Sequence, residues 1–343
     1  METLLEQTWF LIVGGLISIA VLVISADITV GKLTGLAGYF RLSTTFVGVT
    51  VVSLATSIPE IASHFTASAG ILSGVLDYEV SSAIVLGSNI GSDIIQQTLI
   101  LGLVIFIAGT LYFKRYFLWK SLVPMIVTSS LCIVLGLDGI YSRVDGAILF
   151  GLFLAYTYYL YIDERKHYKE EDHGFTPEGE TPVGVPKTAG QAWGYAGVSL
   201  IALAFTVVSS MLALQITEQV VARTGVGGSL IGVITLGVAS ALPEFTTAIS
   251  GIRKGDAGIP LGTLVGSNIT NPLVAIGGGA LISTYAIPGP LVKWDLPWAT
   301  MTGIILLAVL WFNKGRARKK TAIYLMVLYT IYLATRTIFF GVD

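Results

Sequence analysis

The sequence predicts an all-α membrane protein: ten transmembrane helices arranged as two inverted five-helix repeats. Three observations predict it. Of 343 residues, 54% are hydrophobic and only 12% are charged, with a mean hydropathy of +0.79. A soluble chain needs more polar surface than that. The apolar residues fall into blocks of about 20, the length of a helix that spans the hydrocarbon core. A polar motif then recurs once in each half of the chain.

The expected spans are roughly 8–30, 41–71, 79–111, 118–137, 143–162, 191–216, 228–252, 258–286, 295–313 and 320–340. The first follows Met1–Gln7, which holds two glutamates and no Lys or Arg. A secretory signal wants a basic start, so this block reads as a retained span. Basic residues test the layout. Alternate loops place Lys32, Arg41, Lys114, Arg115, Lys120, Arg165, Lys166, Lys169, Lys187, Arg253, Lys254, Lys314, Arg316, Arg318, Lys319 and Lys320 on one side. Arg143, Arg223, Lys293 and Arg336 fall on the other, a split of 16 against 4. A missed helix would scramble that division. By the positive-inside rule the first side is cytoplasmic and both termini lie outside a cell membrane.

The one long polar stretch, 163–190, reads as a flexible cytoplasmic linker. It separates a first repeat (1–162) from a second (191–343). Net charge is −1 and no basic stripe is present, which argues against nucleic acid as a partner. The expected partners are the lipid bilayer and inorganic cations, and no obligate protein partner is evident. The single cysteine, Cys132, sits in an apolar run and reads as a small core residue.

The repeated motif is Ala55-Thr56-Ser57-Ile58-Pro59-Glu60 with Gly87-Ser88-Asn89-Ile90, then Ala239-Ser240-Ala241-Leu242-Pro243-Glu244 with Gly266-Ser267-Asn268-Ile269. The copies are offset by 184 residues at the glutamates and 179 at the serines. Five spans per half is an odd number, so the halves insert in opposite orientations. Inverted repeats with interrupted helices mark secondary transporters, whose site lies near the midplane. Glu60 and Glu244 fall inside apolar spans, where an ionised carboxylate is costly unless paired or facing a wet cavity. Pro59 and Pro243 should break their helices and free carbonyls beside the glutamates. Carboxylates, carbonyls and the hydroxyls of Thr56, Ser57 and Ser240 form an all-oxygen set suited to a hard cation such as Ca²⁺. The sequence has no Cys/His cluster of the kind Zn²⁺ or Cu⁺ prefers. A Pro-Glu kink alone could be structural, but two copies at matched positions argue for function. Gly-Ser-Asn also suits close helix packing.

These motifs resemble the Ca²⁺:cation antiporter superfamily, near the prokaryotic sodium/calcium exchangers, with some features of the cation/proton exchangers. The family's repeats read G-T-S-L-P-E followed by G-S-N-I-F-N or G-S-N-I-F-D. Here they appear as Ala55–Glu60 with Gly87–Ile90, and Val238–Glu244 with Gly266–Asn271. Ser25-Ala26-Asp27 is similar to the family's Gly-Ala-Asp. The resemblance implies transported Ca²⁺ held by Glu60 and Glu244 with oxygens at Thr56 and Ser240. Flanking Na⁺ sites in the sodium exchangers map to Ser57, Ser88 and Ser267. It also implies alternating access, with the first and sixth spans sliding over a core.

Departures bear on the counter-ion. The hydroxyl equivalent to Ser57 is Ala241, the family's second-repeat Asp is Asn271, and its first-repeat Asn is Ser92, followed by Asp93. Two glutamates with an amide tilt the reading slightly toward H⁺, while Ser57, Ser88 and Ser267 keep Na⁺ open. In a regular helix Asp93 would not point where the family's Asn points; a π-bulge after Ser88 could bring it into line, and the readings of a site residue and of a water-filled flank both stay open. Gln97, one turn on, is placed to hydrogen-bond Asp93. His64, four residues after Glu60, reads as a polar residue bonded within the bundle rather than a proton carrier. A channel would need no counter-ion and is the second functional class. An enzyme ranks last, since the spans carry no nucleophile motif or metal-binding spacing.

Overall fold

The computed structural model describes residues 7–39, 53–113, 115–167, 185–253 and 258–343. They form a helical bundle. Helices are the economical solution in lipid, because each backbone N–H and C=O is satisfied within its own segment. Among the described residues, eight helices are long and apolar enough to cross a membrane, and each coincides with an expected span. The other two expected spans are helical where described, as Ser53–Thr56 with Ile58–Leu72, and as Gly258–Thr270 continuing to Ile282.

Several boundaries differ from the expected ones. The first and sixth spans are long helices, Thr8–Tyr39 and Ala189–Thr224, which pack along one another. The helix Arg143–His167 runs a turn into the expected linker. Residues 168–184 of that linker, and 41–52 at the start of the second span, lie outside the described residues.

Two small strand pairs reveal how the halves relate. Thr110–Tyr112 pairs antiparallel with Arg316–Arg318, and Ile140–Tyr141 with Tyr285–Ala286. Each pair joins a loop of the first half to a loop of the second. The first pair lies among the lysine- and arginine-rich loops and the second among the basic-poor ones. A feature after the third span of one half thus meets one before the fifth span of the other, once on each face. That is the relation expected of inverted repeats.

Polarity is turned inside out relative to a soluble protein. Leu16, Ile17, Ile24, Leu200, Ile201 and Phe205 face outward, whereas hydroxyls and amides such as Ser92, Gln96, Asn268 and Asn271 are buried. Cys132 is buried in the core, as expected. The centre is a close crossing of Tyr78–Ile95 against Gly228–Ile234. A Cβ added at Gly87 would lie 2.2 Å from the carbonyl oxygen of Ser229, and one at Gly232 would lie 2.2 Å from that of Ile84. The Gly-Ser-Asn segment is therefore a packing face as well as a motif. Gly232→Val is expected to cost at least the ~1–3 kcal/mol typical of overpacking, read as a lower melting temperature in detergent. Gly151→Val, where a Cβ meets nothing within 4 Å, should be nearly neutral.

Candidate cation site

Both Pro-Glu segments interrupt their spans as the sequence led us to expect, but each break precedes its proline. Ser57 is a turn between Ser53–Thr56 and Ile58–Leu72, and Ala241 is a turn between Leu236–Ser240 and Leu242–Arg253. Pro59 and Pro243 are each the second residue of a new helix, where a missing N–H does no harm. Glu60 and Glu244 therefore sit in first turns, where the helix dipole favours negative charge. A further break at Thr235 divides the second-half span once more.

The two glutamates are fully buried, at 1% and 0% exposure, and near enough for their charges to interact. Their neighbours cross over between the repeats. Ser240 of the second repeat lies beside Glu60, and Thr56 of the first lies beside Glu244. Glu60 Oε1 accepts a hydrogen bond from Ser92 Oγ at 2.8 Å. Glu244 Oε1 faces Ser267 Oγ at 3.3 Å, while Ser267 also donates to the Thr263 carbonyl at 2.9 Å and lies 3.4 Å from Thr56 Oγ1. Ser240 donates to the Gly237 carbonyl at 3.3 Å.

Several buried oxygens here have no hydrogen-bond partner among the described residues. They include Glu60 Oε2, Glu244 Oε2, Ser57 Oγ, Asn271 Oδ1 and Thr263 Oγ1. Buried polar atoms are normally paired. A cluster of unpaired acceptors led by two carboxylate oxygens is what an oxygen-loving cation would satisfy.

The remaining candidates divide. Ser88 is buried, and its backbone packs against Gly232 and Gly237. Asn271 Nδ2 donates to Asp93 Oδ1 at 2.9 Å, so Asp93 joins the polar cluster through the opposite repeat's amide. No bulge follows Ser88: Tyr78–Ile95 is regular α-helix, and the π-helical turn comes later, at Gln96–Ile100. A second π-turn, Asn271–Ile276, contains Pro272, whose missing N–H loosens the α pattern. Gln97 bonds Asn268 Oδ1 at 2.7 Å and not Asp93 as the sequence suggested, because the facing helix presents the Asn268 amide to it. His64 is bonded within the bundle: Nδ1 lies 3.2 Å from the Tyr285 hydroxyl, and the rings meet edge to face. Gln96 and Asn268 are members of the cluster that sequence reasoning did not single out as site residues. The polar run Gly91–Thr98, unusual inside a span, was the signal for Gln96.

Comparison with known proteins places this architecture. The chain is 27% identical to the inner membrane protein YrbG of Escherichia coli (strain K12), over 96% of this chain and 97% of that one. The fold superposes on the H⁺/Ca²⁺ exchanger CAX with a TM-score of 0.77 at 15% identity, covering 94% of this chain and 82% of that one. On the sodium-calcium exchanger NCX_Mj the TM-score is 0.61 at 20% identity, covering 96% and 99%. The model of the sodium/calcium exchanger protein family matches residues 10–162 and 194–338, and the chain belongs to that family.

Proposed function

We propose that the chain exchanges Ca²⁺ for H⁺ or Na⁺ by alternating access, at a midplane site built on Glu60 and Glu244. The observation that carries this reading is the pair of buried carboxylates on broken helices, each with one oxygen lacking a partner among the described residues. Thr56, Ser57, Ser240 and Ser267 supply hydroxyls around the pair, and Ser88, Ser92, Asp93 and Asn271 complete its polar surround. A divalent ion balances two carboxylates. Neutralised in this way, or by counter-ions, the site can be covered by the apolar sliding helices without the penalty of bare charge. The two long helices, Thr8–Tyr39 and Ala189–Thr224, move as the sliding pair. Ser25 and Thr206, 181 residues apart and hence near-equivalent in the repeat, join them by a 2.9 Å hydrogen bond. The protein sits in a cell membrane with both termini outside and 163–190 in the cytoplasm.

Protons are the favoured counter-ion, because Ala241 and Asn271 remove two oxygens that flanking Na⁺ would use. The Na⁺ reading rests on Ser57, Ser88 and Ser267. The folds compared include one exchanger of each kind and do not choose between them. Uptake of radioactive Ca²⁺ into proteoliposomes with imposed gradients does. Uptake driven by a pH gradient in Na⁺-free buffer is expected. Uptake that follows a Na⁺ gradient at clamped pH and ignores a pH jump selects Na⁺ instead. Ca²⁺ current that needs neither gradient identifies a channel.

A further inference from the structure

The repeat relates Glu60 to Glu244, yet it does not extend to what holds them. Ser92 Oγ donates to Glu60 and accepts from Gln96 Nε2 at 3.0 Å. Gln96 Oε1 accepts from Asn268 Nδ2 at 3.1 Å, and that nitrogen also donates to the Leu264 carbonyl at 2.6 Å. A main-chain carbonyl only accepts, so Leu264 fixes which end of the Asn268 amide faces it. That fixes the Gln96 amide in turn, with its nitrogen on Ser92. A hydroxyl has one hydrogen. With a lone pair of Ser92 taken by Gln96, the hydrogen is directed at Glu60 Oε1. The chain Asn268–Gln96–Ser92–Glu60 is thus directional, wholly buried, and runs from the second half into the first.

Among the described residues, Glu244 has no such chain. At the serine offset of 179 residues, the positions equivalent to Ser92 and Gln96 are Asn271 and Ala275. Asn271 is turned to Asp93, and alanine has no donor. The Ser267 hydrogen that Glu244 could receive is contested by the Thr263 carbonyl, which is nearer.

We propose that Gln96 is a positioning residue, acting through Ser92 to lock the Glu60 carboxylate with Oε2 turned to the ion. Glu60 is then the fixed ligand of the exchange cycle and Glu244 the adjustable one. This rests on the Glu60–Glu244 reading of the site. The test measures initial rates of Ca²⁺ exchange against Ca²⁺ concentration in proteoliposomes. Gln96→Met keeps the volume and removes the donor. It is expected to raise KM for Ca²⁺ by up to about tenfold, the upper worth of a single neutral hydrogen bond, with Vmax changed much less. Ser92→Ala should do the same, and the double variant should match Ser92→Ala alone, since one chain is cut twice. Gln97→Met loses a bond to Asn268, at the far end of the chain from Glu60, and should move KM less. If Gln96→Met does not fold, Gln96→Leu also removes the donor at similar volume, and its KM should rise as well. An unchanged KM in the folded Gln96 variant, additive effects of Gln96→Met and Ser92→Ala, or an equal rise in Gln97→Met overturns the proposal. Wild-type protein that exchanges no Ca²⁺ overturns the site reading itself. Wild-type exchange with an unresponsive Gln96 variant overturns this inference alone.

Discussion

Glu60→Gln and Glu244→Gln are each expected to abolish Ca²⁺ exchange in a protein that still folds and inserts. Glutamine keeps the shape and an acceptor oxygen, so Ser92 and Ser267 retain something to bond. What is lost is one of two negative charges. Ca²⁺ affinity depends steeply on ligand charge, and a loss of about a hundredfold or more follows from halving it. The melting temperature should hold or rise, because a buried unpaired charge has been removed. Flux in proteoliposomes and thermal melting measured on the same preparations separate the two effects. Normal flux in either variant would remove that glutamate from the site.

Arg336→Met is expected to give the largest loss of stability. Arg336 and Asp295 are both fully buried, with Nε 2.8 Å from Oδ2 and 3.1 Å from Oδ1. Tyr332 donates to the same carboxylate at 2.7 Å, and Arg336 Nη2 reaches Ser229 Oγ at 2.5 Å. Its Nη1 bonds the Phe340 carbonyl, and Asp343 accepts from the Ser229 backbone N–H at 2.8 Å. The cluster ties the end of Lys319–Phe339 to Leu291–Asp295 and to the start of Gly228–Ile234, the first piece of the broken second-half span. Removing the arginine strands Asp295 in a dry setting, at a cost of about 3–5 kcal/mol. Replacing both partners with apolar residues, as in Arg336→Met with Asp295→Leu, should recover much of that. A double variant no more stable than the single one would show that the pair is not the source of the loss.

The fold was legible because lipid imposes strong rules: span length, basic asymmetry and the duplicated motif each leave marks that need no partner to be read. Glu60 and Glu244 stood out because a carboxylate next to proline inside an apolar run recurs at matched positions in both halves. The Arg336–Asp295 pair left no comparable mark. Its members lie 41 residues apart on different helices, near span ends where charges are commonplace. Gln97 was misassigned for a related reason. Spacing along one helix named Asp93 as its neighbour, but the crossing of two helices supplied Asn268. Asp93 itself depended on rotation about a helix axis, and one residue of register is worth about 100°.

The strand pairs Thr110–Tyr112 with Arg316–Arg318 and Ile140–Tyr141 with Tyr285–Ala286 bear on which movements the molecule allows. They stitch half to half at both ends of the bundle. A book-like parting of the halves would have to tear one seam or the other, whichever way the book opened. The helices Thr8–Tyr39 and Ala189–Thr224 belong to neither seam. In the exchange cycle proposed here, the moving boundary is therefore expected between this outer pair and a core sewn shut at top and bottom, which carries the two glutamates.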